Sequence, residues 1–138
     1  RRHTRYGTVT GVQTCALPIS TMQGSEFLPA TTTFFQWHSE TFEIPQSALH
    51  LAHNDRFSGQ AFSFDGHAFG IEFHPEITRE MINRWCTSER GRPKLQLKGA
   101  QPHEDQLASH TAHAKAARDW LDYFLDRYLL AQSIAQAV

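Results

Sequence analysis

A histidine and a glutamate separated by one proline form the group of residues best suited to chemistry. His74, Pro75 and Glu76 follow a run of alternating apolar residues. A histidine can act as a general base near neutral pH, and a carboxylate bonded to its Nδ1–H leaves Nε2 free for a nucleophile. Pro75 ends the ladder, so Glu76 can fold back towards the imidazole. The pattern fits the base and orienting acid of a thiol hydrolase, although alone it fits an ordinary strand-end turn better.

Short strands and a hairpin must position this group. Alternating residues predict a strand over Thr31–Trp37 and another over Ala48–Ala52. The runs Gln60–Phe64 and His67–His74 flank Asp65-Gly66, a pair typical of a two-residue hairpin turn that needs positive φ at both positions. Because side chains alternate along a strand, one face of the second run is predicted to be core. This face consists of His67, Phe69, Ile71 and Phe73.

Helices follow the strands. Thr78 is a suitable N-cap for a helix that we predict to end near Glu89. Arg90–Gln101 contains glycine and proline and is predicted to be a loop. A long helix is predicted from His103 to Leu130, because apolar residues recur there at steps of three and four. The predicted buried stripe is Leu107, Ala114, Ala117, Leu121, Phe124 and Tyr128.

The composition argues against several classes of partner. The 138 residues include 13 basic and 14 acidic side chains, a balance that gives no field for nucleic acid. No apolar run is long enough to span a membrane. Cys15 and Cys86 form neither a CxxC pair nor a disulfide framework, which is typical of the reducing cytoplasm.

The two ends of the chain are predicted to lie outside the domain. Residues 1–20 are basic and rich in turn residues, and RRHTRYG and GVQTCALPIS resemble translated sequencing-adapter sequence. We expect a non-native or disordered segment there, which removes Cys15 from consideration as a catalyst. Residues 21–130 would form the domain, and residues 131–138 a frayed tail.

Three blocks of sequence, taken in their order along the chain, carry a resemblance to a known family. They are FQWHSETFEIP at Phe35–Pro45, QAF at Gln60–Phe62 and GIEFHPE at Gly70–Glu76. Together they resemble the class I, triad-type glutamine amidotransferases, and most closely the GMP-synthase-like group, with Glu72 where glutamine is usual. The resemblance runs from about Phe27 to about Trp85.

This resemblance implies a partial α/β domain of the flavodoxin-like or Rossmann-like kind. The chain would hold the C-terminal strands, hairpin and helices, and we expect the N-terminal half to be missing. The central parallel strands would then come from that half.

The same resemblance implies a reaction and roles for residues. A cysteine in a glycine-rich turn would attack the side-chain amide of glutamine, with His74 as base and acid and Glu76 as its orienter. The segment His38, Ser39 and Glu40 would contact the glutamine, although Ser39 stands where glycine is usual and Glu40 where aspartate is usual. The ammonia would pass to a synthase domain or subunit, and no cofactor is implied.

The nucleophile itself is not evident. No glycine-flanked cysteine motif occurs, and Cys86 lies in a predicted amphipathic helix, where a buried thiol is inert. We therefore expect the chain alone to be inactive.

Alternative interpretations stay open. One is a γ-glutamyl peptidase-type hydrolase of the same fold, and another is a non-catalytic interaction module. The remaining histidines suggest a zinc site at His50 and His53, or along His103, His110 and His113. Because no cysteine or carboxylate completes a known spacing, we predict no metal.

Overall fold

The fold is built around one antiparallel sheet with helices packed against it. The computed structural model describes residues 9–18, 22–28, 31–38 and 40–130, with residues 9–18 and Met22 described at the level of the backbone. The strands are β1 (Val9–Pro18), β2 (Thr32–His38), β3 (Leu49–His53), β4 (Ala61–Phe64) and β5 (Ala68–Ile71). The helices are α1 (Met22–Phe27), α2 (Arg79–Thr87) and α3 (His103–Phe124), with a 3₁₀ helix at Arg92–Gln96 and a π-helix at Leu125–Leu130.

The sheet has the order β2-β1-β3-β4-β5, and each neighbouring pair is antiparallel. The hairpin of β4 and β5 turns at Asp65 and Gly66, whose φ angles are 53° and 75°. Positive φ at both positions is the backbone that this turn requires, so the predicted hairpin is confirmed.

Strand β1 falls within residues 1–20, which the sequence predicts to lie outside the domain. Its backbone pairs with β2 from Val9 to Ala16, and with β3 at Leu17 and Pro18. Residues 1–8, 19–21 and 131–138 lie outside the described residues. The backbone pairing of β1 does not identify the origin of its sequence, so the adapter-like nature of residues 1–20 stays a prediction.

The second hairpin strand is shorter than the sequence predicts. Strand β5 ends at Ile71, and His74 rejoins the sheet through an isolated bridge to Phe35. On the predicted core face, Phe73 is buried and Phe69 and Ile71 pack against the core. His67 is exposed, because it lies in the turn, where alternation no longer applies.

The helices follow the sequence in outline. The hydroxyl of Thr78 accepts a hydrogen bond from the Met81 N–H at 3.2 Å, so the predicted cap of α2 is confirmed. The predicted loop after α2 contains the 3₁₀ helix, which begins with a proline among its first residues. Among the described residues, no helix is both long and apolar enough to cross a bilayer.

An aromatic core lies between the sheet and α3. Phe34 stacks on Phe73 at 4.1 Å between ring centroids, and Trp120 packs edge-on against both rings. The indole N–H of Trp120 donates to the Phe27 carbonyl at 2.9 Å, which satisfies the one polar atom of this buried side chain. Phe27 is fully buried, so α1 is part of the same core.

We expect Phe34→Ala to lower the free energy of unfolding by roughly 3–5 kcal/mol, because it leaves a cavity beside Phe73 and Trp120. Phe64→Ala is the matched control. Phe64 is 43% exposed, so its loss should cost under about 1 kcal/mol. Urea denaturation of both variants measures the difference, and equal losses would contradict this assignment of the core.

Candidate active site

His74 is held by its backbone at the edge of strand β2. Its N–H donates to the Phe35 carbonyl at 2.9 Å, and the two residues form an antiparallel bridge. Because neighbouring residues in extended chain point to opposite faces, Phe34 and Phe73 enter the aromatic core. Phe35 and His74 face the other side, towards α2.

The side chains of His74 and Glu76 meet. Nδ1 of His74 lies 2.8 Å from Oε1 of Glu76, and because an ionised carboxylate only accepts, Nδ1 carries the proton. No described residue forms a hydrogen bond with Nε2. The side chains are 30% and 48% exposed, so the imidazole is accessible, and in its neutral form with Nδ1 protonated the lone pair is on Nε2.

Aromatic rings limit the motion of this imidazole. The ring of Trp85 packs edge-on against it at 5.3 Å, and Phe35 lies at 6.4 Å. Trp85 is held in turn by a tight chain reversal, in which the Ser88 hydroxyl donates to the Trp85 carbonyl and accepts from the Gly91 N–H. A Cβ at Gly91 would lie 1.7 Å from the Trp85 carbonyl oxygen, so this approach requires glycine.

His38 lies near His74 and is largely enclosed. Its Nδ1 is 2.9 Å from the Glu40 carbonyl and 3.6 Å from Oε2 of Glu72. Burial lowers the pKa of His38, the bond to the Glu40 carbonyl opposes this, and the charge of His74 lowers the pKa further. Glu40 is exposed and meets His38 through its backbone. Ser39 lies outside the described residues.

Three polar residues, two of them fully buried, join this region without having been predicted as site residues. Gln36 and Gln60 are fully buried and hydrogen bond to each other at 2.8 Å. Gln60 continues to Glu72 at 3.3 Å. All three lie in the sequence blocks that carry the resemblance, and a glutamine between the apolar residues Phe35 and Trp37 indicates a buried polar group but not its partner.

Cys86 lies in α2 and does not join the site. It is 2% exposed, and its Sγ donates to Oε1 of Gln106 at 3.4 Å. Burial raises the pKa of its thiol, which reduces the thiolate fraction at neutral pH. The side chain of Cys15 lies outside the described residues.

Two of the other histidines, His50 and His103, make ordinary hydrogen bonds. His50 bonds to the Ala52 carbonyl at 3.0 Å, and His103 to Oδ1 of Asn83 at 2.9 Å. Within the part of the chain that the structure describes, no three His, Cys, Asp or Glu side chains come together as metal ligands do.

Two solved structures share this arrangement of strands and helices. A glutamine amidotransferase from Methylobacillus flagellatus matches with a TM-score of 0.78 at 21% identity, over 93% of this chain and 55% of that one. A glutamine amidotransferase from Thermotoga maritima matches with a TM-score of 0.71 at 23% identity, over 93% of this chain and 55% of that one.

This chain has part of the glutamine amidotransferase fold. The predicted partial α/β domain is therefore confirmed, and the chain spans about half the length of the structures it matches. No family model matches the sequence. A curated relative, gamma-glutamyl peptidase 5 of Arabidopsis thaliana, is 32% identical over 56 residues, which cover 40% of this chain and 22% of the peptidase.

We expect Cys86 to react slowly with Ellman's reagent in the folded protein, because the thiol is buried and its pKa is raised. In a Cys15→Ser background, which leaves one thiol, native labelling at neutral pH should be at least about tenfold slower than in denaturant. The labelling rate of the native protein should also begin to rise at a higher pH than the labelling rate of free cysteine. Equal native and denatured rates would place Cys86 in an accessible, reactive site.

Proposed function

We propose that this chain supplies the base and the orienting acid of an enzyme that hydrolyses the side-chain amide of glutamine. The observation that carries this proposal is the 2.8 Å hydrogen bond between Nδ1 of His74 and Oε1 of Glu76. This bond leaves the lone pair of Nε2 available at an accessible rim of the sheet. The amidotransferase fold supports the choice of reaction, because the two similar structures are named for it.

His74 takes up one proton and returns it in each half of the reaction. Nε2 takes the proton of a cysteine thiol, and the thiolate attacks the amide carbon to form a C–S bond. As the tetrahedral intermediate collapses, the C–N bond breaks and His74 returns the proton to the departing ammonia. His74 then takes a proton from water, which attacks the thioester, and returns it to the leaving thiol. The sum is glutamine plus water to glutamate plus ammonia.

Glu76 makes this cycle possible by its position. It holds the proton on Nδ1, so the neutral imidazole always presents Nε2 to the nucleophile, and it stabilises the imidazolium formed at each step. Trp85 packs edge-on and restricts the ring to this orientation. His38, Ser39 and Glu40 would form the wall beside the glutamine.

The cysteine is proposed to come from the part of the full protein that this chain does not include. Cys86 bonds to Gln106 rather than to His74, and the similar structures are nearly twice as long as the matched region. We therefore expect no glutaminase activity from the chain alone. The ammonia acceptor would be a synthase domain or subunit, as in the GMP-synthase-like group, in the cytoplasm where the thiol stays reduced.

We expect His74→Ala in the full-length protein to lower kcat/KM for glutamine by at least about 10³-fold, because it removes the only proton carrier of the cycle. Glu76→Gln should lower kcat by roughly 10²–10⁴-fold with little change in KM, since an amide can favour the wrong tautomer. Ammonia release in a coupled assay measures both losses.

His67→Ala and Glu89→Gln are the matched controls, because both side chains are exposed and lie outside the site. They should retain full activity. Ammonia production by the isolated chain above its own His74→Ala variant would contradict the proposed origin of the nucleophile, and full activity of His74→Ala in the full-length protein would refute the mechanism. Inactivity of the unaltered full-length protein on any γ-glutamyl substrate would favour an interaction module.

A second candidate follows from the sequence relative. The Arabidopsis relative is named a γ-glutamyl peptidase, and such an enzyme breaks the bond between the γ-carbonyl carbon and an amino acid or peptide leaving group. The same two residues would serve both reactions. Parallel assays with glutamine and with a γ-glutamyl dipeptide distinguish them, because the ratio of kcat/KM values identifies the preferred leaving group.

A further inference from the structure

A chain of hydrogen bonds runs through the protein from His38 to Glu72. Nε2 of His38 lies 3.0 Å from Oε1 of Gln36, Nε2 of Gln36 lies 2.8 Å from Oε1 of Gln60, and Nε2 of Gln60 lies 3.3 Å from Oε2 of Glu72. Both glutamines are fully buried, and the end side chains are 14% and 7% exposed. Water is therefore largely excluded, and the four side chains must satisfy one another.

Both ends of this hydrogen-bond network, His38 and Glu72, hold the same short loop. The Nδ1 of His38 lies 2.9 Å from the Glu40 carbonyl, and the Phe42 N–H donates to Oε1 of Glu72 at 2.9 Å. A carbonyl can only accept a hydrogen bond, so Nδ1 of His38 carries a proton. The open question is then whether Nε2 carries one as well.

Two arrangements satisfy every bond, and both contain one mobile proton. As the amides are oriented, Nε2 of His38 faces an acceptor oxygen of Gln36, which requires an imidazolium and an ionised Glu72. Rotating both amides by a half turn exchanges their donors and acceptors with almost no change of shape. Gln36 then donates to a neutral His38, Gln60 donates to Gln36, and a protonated Glu72 donates to Gln60.

Burial favours the arrangement without charges. It raises the pKa of Glu72, against the opposing hydrogen bonds from Thr41 and Phe42, and it lowers the pKa of His38. Among the described residues, the titratable side chains beside His38 are Glu72 and His74. Asp55 and Arg56 flank Phe57, whose ring covers His38 at 4.9 Å, and both are exposed.

We propose that His38 and Glu72 share a single proton through the amides of Gln36 and Gln60. Glu72 is then a positioning residue, which anchors the 40–42 loop and controls whether a positive charge lies beside His74. When the proton is on Glu72, His38 is neutral and both ends of the network hold the loop. When it is on His38, a second positive charge stands next to the imidazole of His74.

The consequence for catalysis rests on the proposed function. The charge of His74 lowers the pKa of His38, because two neighbouring imidazoles repel each other when both are charged. A neutral His38 therefore leaves His74 free to carry a proton in each step. The network itself can be tested without any turnover.

The test is the titration of His38 by ¹⁵N NMR, in protein labelled at histidine and assigned with a His38→Asn variant. At neutral pH we expect a neutral ring with its proton on Nδ1. A ring protonated on Nε2 alone at neutral pH would overturn the proposal, and an imidazolium there would overturn the placement of the proton on Glu72.

Glu72→Gln is the decisive variant. A glutamine can donate to Gln60 and accept from Phe42, so the loop stays anchored, but it cannot give up a proton to balance a charge on His38. We expect the proton affinity of His38 to fall by at least about tenfold. An unchanged titration of His38 would mean that Glu72 has a purely structural role.

A double-mutant cycle separates the amide relay from direct attraction across 3.6 Å. Gln60→Met interrupts the relay with a side chain of similar length, so Glu72→Gln should then change the His38 titration by less than half as much, on a logarithmic scale, as it does with Gln60 present. A full effect in the Gln60→Met background would refute the relay. If Gln60→Met fails to give a dispersed spectrum, Gln36→Met provides the same interruption at the other amide.

These readouts do not depend on glutamine hydrolysis. Failure of the glutaminase assay with the expected titrations would refute the proposed function and leave the shared proton intact. Glutaminase activity without the expected titrations would refute only the shared proton.

Discussion

One backbone hydrogen bond, from the His74 N–H to the Phe35 carbonyl, connects the core of this protein to the proposed catalytic histidine. Strand β5 has already ended at Ile71, so this bond is what returns the chain to β2. It sets Phe73 on Phe34 at 4.1 Å on one side of the sheet and the imidazole beside Trp85 on the other. The position of the imidazole is therefore fixed by the same packing that buries the aromatic core.

Two histidines in this region have opposite surroundings. His74 is partly exposed and bonds to the exposed carboxylate of Glu76. His38 is enclosed by Phe57 and bonded on both ring nitrogens, an environment that resists a charge. The difference between the proposed roles of these two histidines follows from burial and partners rather than from residue type.

Local features of the sequence predicted local features of the structure. Asp65-Gly66 specified its hairpin because positive φ is needed at both positions, and Thr78 specified the start of α2 because its hydroxyl caps a free N–H. The closeness of His74 and Glu76 follows from the proline between them. Long-range partners could not be read in this way, since nothing near Gln36 identifies Gln60, and nothing near His74 identifies Phe35. The exposed position of His67 was missed because the turn interrupts strand alternation.

The crowding between Gly91 and the Trp85 carbonyl has a consequence for inherited or engineered variation. Even one added methyl group would push the end of α2 away from the 3₁₀ helix and loosen the indole that supports the imidazole. An enzyme containing this chain could thus lose its activity at a residue that has no polar side chain and never touches a substrate. A screen of variants would record position 91 among the essential ones, and its intolerance would arise purely from lack of space.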